Sequence, residues 1–176
     1  MLFPTLLRVL CTMRNQRFHL VEVNESDWEL LKKVRLSALK DSPLAFSATL
    51  NDALKYTEFE WRLRASGIHS NYFLAVQGVE PIGIVGGRLD SLDEYEVISM
   101  WVHSDYRGQG VSDLLMKKLK NFAIEKGYKR LKLSISTYNF KVINFYLKHD
   151  FRLVDPVYDE VDLECESIKM FWVRGK

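Results

Sequence analysis

The stretch MWVHSDYRGQGVSDLLMKKL, residues 100–119, changes character at its centre. Its first residues close the alternating run EVISMWV (96–102), which reads as a strand. Arg107, Gly108 and Gly110 follow, and then Val111, Leu114, Leu115, Leu119 and Phe122 recur at helical spacing. Gly127 fits the position just past a helix end, so the helix is expected over roughly 111–126. A helix start leaves unpaired N–H groups and a partial positive charge, and glycines let a bulky anion approach them. Pyrophosphate binding is the chemistry suggested, with Arg107 either adding charge or bracing the turn. A P-loop needs Lys-Ser/Thr after its last glycine, whereas Val111-Ser112 stands here. A dinucleotide fingerprint needs Gly or Ala at position 113, which is Asp113. Neither pattern fits, and a plain turn before a packed helix is the remaining local reading.

Outward from this junction the elements alternate. FHLVEV (18–23) reads as a first strand, and Ser26 or Asp27 caps a helix with Trp28, Leu31, Val34 and Ala38 on one face. Pro43 ends that helix. A second helical region lies within 51–66, where Tyr56, Phe59 and Leu63 share a face. NYFLAVQ (71–77) and PIGIVGGRL (81–89) form a hairpin around Gly78. RLKLSIS (130–136) is a strand, NFKVINFYLKHD (139–150) a short helix, and FRLV and SIKMFWV the closing strands. The order specifies an α/β fold with a mixed sheet, mostly antiparallel before the glycines.

With 176 residues, 47% of them apolar, the chain suits one globular domain. A net charge of +2 and no long basic run argue against nucleic acid as a partner. Cys11 and Cys165 show neither metal-ligand nor disulfide spacing, so no metal site and a reducing cytoplasmic setting are expected. Residues 1–12 (MLFPTLLRVLCT) are apolar but too short to span a bilayer and lack the features of a signal peptide, so no membrane partner is expected. They read as an extension ahead of a single domain over 13–176, packing either on that domain or at a homodimer interface.

VHSDYRGQGVS closely resembles the acetyl-CoA-binding motif of the GNAT family of N-acetyltransferases, Arg/Gln-x-x-Gly-x-Gly/Ala. Arg107 and Gly110 match, Val102 stands five residues before the arginine as in the family, and Ser112 takes the last small position. NFKVINFYLKHDF is similar to the family's later segment Asn-x-x-Ala-x-x-x-Tyr-x-x-x-Gly-Phe, matching at Asn139, Tyr146 and Phe151. Val142 replaces its alanine, and Asp150 replaces its glycine, which implies a changed helix-end turn. The resemblance covers roughly 18–173 and implies a mostly antiparallel central sheet of about six to seven strands with helices on both faces.

It further implies an enzyme that moves an acetyl group from acetyl-CoA to a primary amine in a ternary complex. The N–H groups of Gly108, Gln109, Gly110, Val111 and Ser112 would hold the pyrophosphate beside Arg107. The backbone of Met100, Trp101 and Val102 would pair with the pantetheine arm, in a gap between strands 96–102 and 130–136. Asn139 would bind that arm, or cap the helix that follows it. Tyr146 is the expected general acid, since a phenol stays protonated at neutral pH. Glu96 is the expected base, ahead of Glu94. Residues 42–64, where the family varies its substrate wall, offer Tyr56, Glu58, Trp61 and Arg62 to a small-molecule or peptide acceptor. The acidic run 155–166 could attract a cationic amine or be a solvated loop. A non-catalytic acyl-CoA-binding or sensing module on the same fold is the alternative, because a fold does not guarantee a chemistry.

Overall fold

The computed structural model describes residues 18–90, 92, 94–136, 139, 142–153 and 167–174. The anticipated extension 1–12, both cysteines and the whole of the acidic run 155–166 lie outside them. Seven strands form one sheet: β1 (His19–Glu22), β2 (Ser70–Gln77), β3 (Glu80–Leu89), β4 (Tyr95–Val102), β5 (Arg130–Ser136), β6 (Arg152–Leu153) and β7 (Ser167–Val173). Their order across the sheet is β1-β2-β3-β4-β5-β7-β6. Every pairing is antiparallel except β4 with β5. Parallel neighbours need a crossover, and a long helix supplies it.

The helices are α1 (Trp28–Asp41), α2 (Leu50–Leu54), α3 (Glu58–Ala65), α4 (Val111–Glu125) and α5 (Ile143–Lys148). Strand alternation divides the core between the two sheet faces. Tyr72, Leu74 and Val76 of β2 join the side chains of α1 and α3, while Phe73 and Ala75 join those of α4. In α4, Val111, Leu115, Met116, Leu119, Phe122 and Ala123 are buried. Leu114, expected on that stripe, instead sits on its flank and is 43% exposed, and Met116 takes the inward position. The helix stops at Gly127, whose φ of +84° suits glycine. Gly127 N–H bonds Ile124 C=O and Tyr128 N–H bonds Ala123 C=O, a Schellman stop.

Three local expectations are sharpened or corrected. Of the two caps expected ahead of α1, Asp27 holds the N-cap position but its side chain makes no cap bond to α1; it instead forms a capping box with Asn24 around a 3-10 turn at Glu25–Asp27. The helical region after Pro43 is two helices, because Thr57 and Glu60 form a capping box that starts α3 afresh. Residues 55–57 therefore reset the helical phase, leaving Phe59 73% exposed while Ala53, Trp61 and Ala65 are buried. Finally, Asp150 keeps the glycine-type turn: it takes φ +60°, and Asp150 and Phe151 N–H groups bond Leu147 and Tyr146 carbonyls. Aspartate tolerates this left-handed conformation better than most residues, so the end of α5 is preserved.

Candidate active site

Strands β4 and β5 are paired only at Tyr95↔Leu131 and Glu96↔Lys132, and then diverge. β5 remains paired with β7 from Arg130 to Ser136, so its partner on that side does not change. On β4 the register against β3 slips: Ile84 faces Trp101 and Gly86 faces Ile98, so Ser99 and Met100 together oppose Val85. Ser99 takes φ +60° at this bulge, a costly conformation for a residue with a side chain. The extra residue inverts the alternation, so Met100 packs with the α4 face and Trp101 with the α1 face. Beyond Glu96, the β5-side edge of β4 is free of the ladder, and such an edge can bind an extended chain as another strand would.

The glycine turn closes one end of this gap. Gly108 and Gly110 have φ of +75° and +81°, and a Cβ on either would meet nothing within 4 Å. Backbone conformation, rather than crowding by the protein, is what demands glycine there, and the approach to the helix start is open. The first α4 bond runs from Leu114 N–H to Gly110 C=O at 3.1 Å. The N–H groups of Gly110, Val111, Ser112 and Asp113 therefore have no intrahelical acceptor. Arg107 is a brace: Nε donates to Val102 C=O at 2.9 Å, and Nη2 pairs with Asp41. Asp41 Oδ2 also accepts from Trp101 Nε1 at 2.8 Å. That tryptophan bond, then Ser42 and Arg107, holds the Asp41 carboxyl below its ordinary range despite partial burial. Gln109 Nε2 donates to Asp105 C=O at 2.7 Å, tightening the same turn.

Asp113, which excluded a dinucleotide fingerprint, links the two sequence motifs. Its Oδ1 lies 2.9 Å from Lys148 Nζ and 2.8 Å from His149 Nε2, latching α5 to the first turn of α4. Lys148 is the main cause of a lowered Asp113 carboxyl pKa. Leu114, Lys117, Lys120 and Lys148 border an open depression of about 530 Å³ alongside, which explains the exposure of Leu114. Tyr146 is 8% exposed, between Phe145 and Phe151 at ring separations of 5.2 and 5.6 Å. It belongs to the same core cluster as Val102, Leu133 and Ile135 of the two diverging strands. Burial pushes its phenol above the ordinary value, which keeps the proton on. Asn139 is half-buried and precedes α5, whose own N-cap is Val142, so Asn139 does not cap that helix.

Glu96 stands where the two strands part, its side chain 17% exposed, with Oε2 accepting from Arg88 Nε and Nη2 at 3.1 and 2.9 Å. Glu94 is engaged by Arg130 and by Lys132 at 3.3 Å. The four residues offered as a substrate wall separate into two pairs. Tyr56 and Trp61 line a cavity of about 40 Å³ between α1, α2, α3 and β2. Glu58 and Arg62 pair with each other on the outer side of α3 at 2.7 Å, with Arg62 stacked over Trp28. Asp41, Arg35 and Arg64 were missed in the sequence. Asp41 and Arg107 are 66 positions apart, and no local pattern marks such a contact.

The comparisons with known proteins agree with this geometry. The model of the acetyltransferase (GNAT) family matches residues 36–151. An acetyltransferase from Sodalis glossinidius is 29% identical over 76 residues, 42% of this chain. The chain spans about half (54%) of that relative's length. A GNAT-family acetyltransferase from Streptococcus pneumoniae superposes with a TM-score of 0.71 at 20% identity, covering 89% of this chain and 99% of that one. The PaiA N-acetyltransferase of Thermoplasma acidophilum, solved with coenzyme A, superposes with a TM-score of 0.69 at 15% identity, covering 89% and 99%. The chain shares the fold of these two acetyltransferases. The chain belongs to the GNAT acetyltransferase family.

Proposed function

We propose that the protein transfers an acetyl group from acetyl-CoA to a primary amine, on a small molecule or a peptide, by direct attack in a ternary complex. The observation that carries this reading is the parting of β4 and β5 immediately after Glu96, next to the Gly108–Gly110 turn. Acetyl-CoA supplies the acetyl group as an activated thioester. The N–H groups of residues 108–112 bind its pyrophosphate, with Arg107 holding the turn in shape. The edge of Met100, Trp101 and Val102 pairs with the pantetheine arm, and the Asn139 side chain bonds that arm. Backbone N–H groups of β4 polarise the thioester oxygen. Glu96 takes, through water, the proton that an ammonium must lose before it can attack. As the new C–N bond forms and the C–S bond breaks, Tyr146 gives its proton to the departing sulfur and recovers one from solvent.

A cytoplasmic location suits this reading, because two cysteines without pairing spacing fit a reducing compartment. Among the described residues no helix is long and apolar enough to cross a membrane. The test is to follow free thiol while acetyl-CoA is mixed with primary amines, polyamines, amino acids and peptides. Thiol release that depends on one amine class is the expected result. Tight acetyl-CoA binding without turnover on any amine would establish the sensing module instead. Absence of binding at millimolar acetyl-CoA would overturn both.

A further inference from the structure

The 40 Å³ cavity between α1, α2, α3 and β2 is lined by Arg35, Arg64, Trp61, Tyr56 and Tyr72 together with apolar side chains, and no carboxylate is among them. Arg35 Nη1 and Trp61 Nε1 are both buried and have no hydrogen-bond partner among the described residues. Trp61 as a whole is 2% exposed. Around them, Arg35 stacks on Phe46 at 5.0 Å and Arg64 on Tyr56 at 4.2 Å. These contacts hold both guanidinium groups; Arg64 also lies in the field of Glu60, whereas Arg35 has no ion-pair partner among the described residues. An unsatisfied buried donor is costly, and an unpaired buried charge costs more. Desolvation accordingly pushes the Arg35 pKa down. Two orphan donors, one of them on a buried guanidinium with no carboxylate partner among the described residues, fit a planar, negatively charged acceptor group of a few atoms.

We infer that Arg35 and Trp61 bind a carboxylate, and that this carboxylate belongs to the amine acceptor. The assignment rests on the acetyl-transfer reading for its second half. The cavity lies on the sheet face that also carries Ile98 and Trp101 of β4. Tyr72 and Ile98 converge over Gly86, where an added Cβ would meet both, at 2.7 and 3.0 Å. Thus Tyr72 connects the cavity to β4, with β3 between them. Two strand spacings are about 10 Å, so the acceptor's amine and carboxylate must be far apart. An α-amino acid, with both groups on one carbon, does not bridge that span. A chain of about five methylenes, as in ε-aminocaproate or the ε-amine side of lysine, approaches it. Arg64, exposed, and Tyr56, half-buried, mark the way in.

Calorimetry with N-acetylated ε-aminocaproate, its carboxamide and acetate tests the site without requiring turnover. The carboxylate should bind at least about tenfold more tightly than the carboxamide. Arg35→Gln and Trp61→Phe should each weaken it, about tenfold and about threefold, with carboxamide binding little changed. Circular dichroism melts establish that each variant is folded, and Trp61→Phe retains the ring if Arg35→Gln does not fold. Equal binding of carboxylate and carboxamide, or no effect in the folded variant, overturns the site. Acetate binding as tightly as the longer ligand assigns the site to free carboxylates and overturns the acceptor half. Thiol release with lysine exceeding that with cadaverine, which lacks only the carboxylate, supports that half. If neither amine is turned over while the carboxylate still binds, the acceptor half fails; if no amine of the wider panel is turned over either, the acetyl-transfer reading fails and the anion site stands.

Discussion

At the scale of single residues, Asp41 holds together what the glycine motif alone does not. It closes the C-terminal end of α1, where the helix dipole disfavours a carboxylate, and is retained by Trp101 and Arg107. Asp41→Asn should cost about 1–2 kcal/mol, read as a fall in Tm of roughly 2–8 °C. The sign of its pH dependence follows from the lowered pKa. Unfolded, the carboxyl titrates near pH 3.9; folded, it titrates lower, so its stabilisation is present above about pH 4 and is lost as the pH falls further. Urea melts at pH 5 and about pH 3 should show the wild type losing more stability than Asp41→Asn over that interval. Tyr146→Phe should lower kcat about 100-fold while acetyl-CoA affinity stays within about threefold; an unchanged kcat removes Tyr146 as the acid. Asn139 and Tyr146 stood out in the sequence because their spacing repeats the family's pattern. Arg35 was not, because its significance depends on what three other elements fail to offer it.

At the scale of elements, the strand edges and the ends of α1 and α4 followed from periodicity to within a residue or two, as in RLKLSIS for β5, whereas α5 starts four residues later than the 139–150 expected. The break between α2 and α3 did not, since Tyr56, Phe59 and Leu63 fit one helical face as well as any alternative. The decisive signal was Thr57 with Glu60 three positions on, a capping box inside an apparently continuous pattern. Asp150 shows the opposite error: the replaced glycine suggested a different turn, yet the Schellman hydrogen bonds persist. The strain of φ +60° is borne by the aspartate. Asp150→Gly should therefore raise stability by about 0.5–1 kcal/mol, a gain of roughly 1–4 °C in a thermal melt. Gly110→Ala acts in the other direction, because alanine at φ +81° is strained although space is open around it. It should lose about 1 kcal/mol and weaken acetyl-CoA binding with it.

Over the whole molecule, one long helix joins the parallel pair β4 and β5 and so brings the glycine turn to the end of the gap that pair leaves. The α/β class with a mixed sheet was legible from element order; the helices on both faces and the gap were implied by family resemblance and by no local feature. Neither the bulge at Ser99 nor the bracing of Arg107 by α1 could be read locally, since both arise where distant segments meet. The central claim is that acetyl-CoA lies along the free edge of β4 with its pyrophosphate at the start of α4. Amide hydrogen exchange with and without acetyl-CoA tests it most directly. Protection concentrated in peptides spanning 97–102 and 108–113, with little change in β2, is the predicted result. Unchanged exchange in those two segments at saturating acetyl-CoA would contradict it.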